Sequence, residues 1–130
     1  VGILPAKLPR STTTKKLGDA AEDEALRYLQ EQGMRLVQRN YRTPGRGGGE
    51  IDLILRAPDG TLVFTEVRRR SSNTHGGAAA SVGGVKQRRI IFAARSYLMR
   101  LREPPPCRFD VVTVDPDGVG WIQAAFDAGA

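Results

Sequence analysis

Apolar residues recur along the chain at two spacings. Between Thr14 and Gln32 they fall three and four apart, and Ala21, Ala25, Leu26 and Leu29 line one face of a helix. Thr13 or Thr14 caps its start and Gly33 stops it. Ile90, Ala94, Tyr97, Leu98 and Leu101 make a second stripe, which predicts a helix from Val85 to Arg102, closed by Pro104-Pro105-Pro106. Strands are expected at Met34 to Arg42, twice within Glu50 to Arg70 and at Arg108 to Val114, with Val119 to Phe126 a final strand or an extended tail. The order is α-β-β-β-α-β-β, an α/β protein with a mixed sheet flanked by helices. Residues 1–13 carry two prolines and no periodicity and read as a loose arm, and residues 14–130 read as one domain.

The stretch Glu50 to Arg70 is the centre of that sheet. Pro58-Asp59-Gly60 suits a three-residue hairpin loop, with proline presetting the first position and glycine taking the left-handed one. Ala57 then pairs with Thr61, and Asp52 lies opposite Glu66 on the same face. Strict alternation puts Ile51, Leu53 and Leu55 on the other face. Two carboxylates facing each other on neighbouring strands repel, and stability alone gives no reason for them. A divalent cation would supply one: Mg²⁺ takes one or two carboxylates and fills the rest with water and phosphate. The alternative is a solvated pair, one member neutralised by Arg68.

Other polar residues fall where they could join this pair. Glu22 sits on the stripe of the first helix, as an inward acid that needs a partner or as an acid favoured by the helix dipole. Lys86, one turn before Ile90, points inward at the start of the second helix. Thr43 to Gly49 reads as a flexible loop entering the site, since it lacks the Lys-Ser/Thr of a phosphate-binding P-loop. Ser71 to Gly84 reads as a flexible lid or a substrate-contacting loop, and its His75 has no partner at metal-ligand spacing.

The 130 residues carry a net charge of +6, which favours a polyanionic partner. A single cysteine excludes an intrachain disulfide and fits a reducing compartment. No apolar run approaches the ~20 residues of a membrane span, and no signal peptide is evident, so a cytoplasmic location is expected.

The run Gly49-Glu50-Ile51-Asp52-Leu53, followed by Val63-Phe64-Thr65-Glu66-Val67-Arg68-Arg69-Arg70, resembles the YraN-like bacterial proteins of the restriction-endonuclease-like superfamily, near the Holliday-junction resolvases. The segments Gly18 to Ala25, Asn40-Tyr41-Arg42 and Arg108 to Val112 extend the resemblance over most of the chain. It implies a restriction-endonuclease-like fold and Mg²⁺- or Mn²⁺-dependent cleavage of DNA, branched DNA included. It implies metal ligation by Asp52, Glu66 and the Val67 carbonyl, with Glu22 acting through water. Arg42, Arg46, Arg70, Lys86 and Arg89 become candidate phosphate contacts, and a homodimer is implied by analogy with the resolvases. Tyr41 packs at the edge or stacks on a base, and Asp110 is expected to be structural.

Arg68 departs from the pattern, which has lysine there. Arginine stays protonated and cannot be a base, though it can grip the scissile phosphate. Either Arg68 supplies the electrostatics alone, or Lys86 takes over the role of the lysine, or activity is lost and a DNA-binding shell remains.

Overall fold

The computed structural model describes residues 10–45, 47–70 and 82–128. Its elements are α1 (Arg10–Glu31), β1 (Arg35–Arg42), β2 (Glu50–Arg56), β3 (Leu62–Arg69), α2 (Gly84–Leu98), β4 (Cys107–Asp115) and β5 (Gly118–Phe126). The order matches the expected α-β-β-β-α-β-β. The five strands form one sheet in sequence order. All neighbours are antiparallel except β3 and β4, which run parallel and need α2 as their crossover.

Each face of the sheet buries one helix. Ala21, Ala25 and Leu29 of α1 pack on Leu53, Leu55, Val63, Val112 and Val114. Ile90, Ala93, Ala94 and Tyr97 of α2 pack on Ile54, Leu62, Phe64, Phe109 and Val111. A central sheet covered on both sides explains why β2, β3 and β4 read as near-continuous apolar runs. On β4, Asp110 is fully buried and structural, as expected. It takes a guanidinium from Arg108 at 3.0 Å, the Trp121 indole N–H at 2.9 Å and the Ala124 N–H at 3.0 Å.

Both helices differ from the sequence reading at one end. α1 begins at Arg10, four residues before Thr14. Residues 1–9 of the expected arm and 71–81 of the expected lid, His75 included, lie outside the described residues. α2 stops at Leu98 rather than Arg102. The Arg100 and Leu101 N–H groups bond to carbonyls three residues back, tightening the last turn before the prolines are reached.

Candidate functional site

The hairpin between β2 and β3 has the expected turn. The Ala57 N–H donates to the Thr61 carbonyl at 2.8 Å, the Gly60 N–H donates to the Ala57 carbonyl at 2.9 Å, and Gly60 has φ +94°. The ladder then runs Arg56–Leu62, Leu55–Val63, Ile54–Phe64 and Leu53–Thr65. The next step in that register sets Asp52 opposite Glu66. There the Asp52 carboxylate itself accepts the Val67 N–H, at 2.8 Å.

The same row of the sheet is irregular in β1. The pairs Arg39–Leu53 and Tyr41–Ile51 bracket Asn40 and Asp52. Asn40 has φ +51°, in the left-handed region that asparagine tolerates better than most residues. Residues on its two sides therefore serve different faces. Arg39 reaches Glu22 and Asp23 of α1, whereas the Tyr41 hydroxyl meets Ser96 of α2 at 2.8 Å. The switch is repeated in β2, where Ile51 joins the α2 core and Leu53 the α1 core. The expectation that Ile51, Leu53 and Leu55 share one face is thus corrected: alternation breaks at Asp52.

Charged side chains reach this pair from both helices, Glu22 from α1 and Lys86 from α2. Glu66 is 7% exposed, and Lys86 Nζ of α2 approaches its carboxylate to 3.5 Å. Burial, then the Glu66 charge, push the Asp52 carboxyl up to about 7, against the pull of the Val67 N–H. On the α1 side, burial and the Asp52 charge raise Glu22, while Arg39 at 3.3 Å and the Asn40 side chain work the other way. Glu22 thus has the partner its inward position demanded. Among the described residues no group of three or more His, Cys, Asp or Glu side chains comes close enough to hold a metal. The hard oxygen donors at this centre are Asp52, Glu66 and nearby main-chain carbonyls, with Glu22 engaged by Arg39 and Glu50 close enough for its charge to act on Asp52.

The remaining candidates spread around this centre. Arg68 lies two residues beyond Glu66, on the same face by alternation, partly exposed and without an ion pair among the described residues. Arg42 pairs with Glu50 at 3.7 Å on the surface. Arg42, Glu50 and Arg89 border a depression of about 290 Å³ with the glycines of the Thr43 to Gly49 loop. That loop's ends are fastened rather than free. Thr43 Oγ accepts the Gly49 N–H at 2.9 Å, and a Cβ on Gly49 would overlap the Arg89 carbonyl. Arg70 borders a different depression, with Leu17, Ala20 and Pro116. Arg46 lies outside the described residues.

Sequence reasoning missed Arg39 and the turning role of Asn40. The one available signal was an asparagine inside a strand, a residue that favours turns and left-handed backbone.

A mixed sheet between two helices, with an acid pair opposed across its central hairpin, defines an α/β domain with a carboxylate site at the break in the β2–β3 ladder. Residues 21–114 match the uncharacterised protein family UPF0102, and the chain belongs to that family. A UPF0102 protein of Albidiferax ferrireducens is 72% identical over 116 residues, covering 89% of this chain and 91% of its own. One from Paracidovorax citrulli is 66% identical over 125 residues, covering 96% and 93%. Among the described residues no helix is long and apolar enough to cross a membrane.

Proposed function

We propose that this chain is a metal-dependent endonuclease acting on DNA, of the restriction-endonuclease-like kind that its motif resembles. The observation that carries the reading is the Asp52–Glu66 pair. A buried acid raised to about 7 by burial and by its neighbour's charge is costly in a domain with no catalytic or binding use for it.

The donor set fits Mg²⁺ or Mn²⁺: Asp52, Glu66 and the Val67 carbonyl would hold the ion, leaving positions for water and phosphate. When bound, the ion supplies an acidified water and neutralises charge developing on the phosphate. The chain's own residues do the rest. The Val67 N–H orients the Asp52 carboxylate through one of its oxygens. Arg39 and Asn40 hold Glu22 beside Asp52, where it would act towards the ion through water. Arg68 grips the scissile phosphate as a fixed cation. The approach of Lys86 to Glu66 supports its taking the part of the lysine that Arg68 replaces. The excess of positive charge favours a nucleic acid over a neutral substrate.

The test is cleavage of linear, single-stranded and junction DNA with Mg²⁺ or Mn²⁺. The expected result is metal-dependent cutting that Asp52→Ala and Glu66→Ala abolish. Cutting that survives both changes would remove the site from the reaction. One observation favours a second reading, a non-catalytic nucleic-acid-binding module: arginine stands at position 68. Under that reading binding depends on salt but barely on Mg²⁺, and Arg68→Lys creates cleavage that the natural chain lacks.

A further inference from the structure

The outer face of α2 is built unlike an ordinary solvated helix face. Val85, Phe92 and Met99 are 64%, 55% and 85% exposed. They stand seven residues apart, two turns and roughly 10 Å per step along one side of the helix. Arg88 and Arg95 interleave with them, Arg89 flanks them, and the helix Gly84–Leu98 contains no acid. Its opposite face is fully used: Ile90, Ala93, Ala94 and Tyr97 are in the core, and Lys86 meets Glu66.

The charges decide between occupants. A second copy of this helix, packed antiparallel about Phe92, would set Arg89 of one chain against Arg95 of the other, because paired residue numbers then sum to 184. Like charges so placed repel. A polyanion is attracted instead, and an exposed phenyl ring between guanidinium groups is a platform on which a base stacks while its phosphates are neutralised. Geometry narrows the polyanion further. Lys86 meets Glu66, and Phe92 lies about 120° round the same helix and roughly 9 Å further along, so one strand must turn about the helix to touch both. Duplex DNA, with a persistence length of about 150 base pairs, does not make that turn, whereas an unpaired strand does.

We propose that the outer face of α2 is a track for a single-stranded DNA arm leaving the site, with Phe92 as the stacking residue and Arg88 and Arg95 as phosphate contacts. This rests on the DNA reading above and narrows the substrate class to duplexes with an unpaired or splayed arm.

Fluorescence anisotropy in EDTA tests the track without cleavage, using a plain duplex and the same duplex carrying unpaired arms. The wild-type chain is expected to prefer the splayed probe. Phe92→Leu, which keeps an apolar group but no ring, should weaken that binding about tenfold and leave the plain duplex unchanged. Phe92→Trp should restore it, and Arg88→Ala with Arg95→Ala should weaken it and flatten its salt dependence. Equal affinity of Phe92→Leu and wild type for the splayed probe overturns the track while leaving the nuclease proposal standing. A wild-type dimer that Phe92→Glu separates, or tight binding of a Glu-rich amphipathic peptide that Phe92→Leu abolishes, overturns it in favour of a protein occupant. Failure of the wild type to bind any DNA probe, with Mg²⁺ or without, overturns the parent reading as well.

Discussion

At the scale of single residues the decisive group is Asp52. Its folded-state carboxyl titrates near 7 because burial and the Glu66 charge disfavour its ionised form. The sign of the linkage follows. A raised acid contributes its full stability below its ordinary value near 4, and that contribution is lost as pH rises towards 7. The metal-free protein therefore weakens across that window, on the order of 4 kcal/mol from this group. Asp52→Asn keeps an oxygen for the Val67 N–H and removes the charge facing Glu66. It is expected to raise the metal-free Tm at pH 8 by roughly 10 °C and to leave it little changed at pH 4, checked by thermal melts at both pH values. Metal must displace the same proton. Isothermal titration should show Mg²⁺ affinity rising about tenfold per pH unit below 7, levelling above it, with proton release that Asp52→Asn eliminates.

At the scale of elements, the hairpin was legible and the break in the sheet was not. Pro58-Asp59-Gly60 is a local signal that fixes loop length, and loop length fixes register, so the Asp52–Glu66 opposition followed from the sequence. Counting by twos assumes an unbroken pleat, and nothing beyond Asn40 warned that the pleat reverses there and at Asp52. The ion pair between Glu22 and Arg39 joins residues seventeen apart, and Gly49 packs on a carbonyl forty residues later, so neither shows in local spacing. These contacts make two predictions for urea denaturation. Asn40→Val, which forces a β-branched residue to φ +51°, should cost about 2 kcal/mol, whereas Asn40→Gly should stay within about 1 kcal/mol of wild type. Gly49→Ala should cost about 1–3 kcal/mol, because its methyl group meets the Arg89 carbonyl.

At the scale of the whole molecule, the helices do more than cover the sheet. α1 brings Glu22 to one side of the row Asn40–Asp52–Glu66, and α2 brings Lys86 to the other. The architecture was readable because each helix stripe and each strand run is strong. Its consequence, two helices converging on one irregular row, needed the fold. A ligand bound by the folded state alone stabilises it, so Mn²⁺ at a hundred times its dissociation constant should add about 2.7 kcal/mol at pH 8. Glu66→Gln should remove that response in a differential scanning measurement while leaving a folded protein.

The direct test of the whole account is the anomalous signal from a crystal of the wild-type chain soaked in Mn²⁺ at pH 8. The account predicts one strong peak within bonding distance of the Asp52 and Glu66 carboxylates and the Val67 carbonyl. Well-ordered carboxylates with no peak between them at saturating Mn²⁺, Lys86 still paired to Glu66, would contradict it.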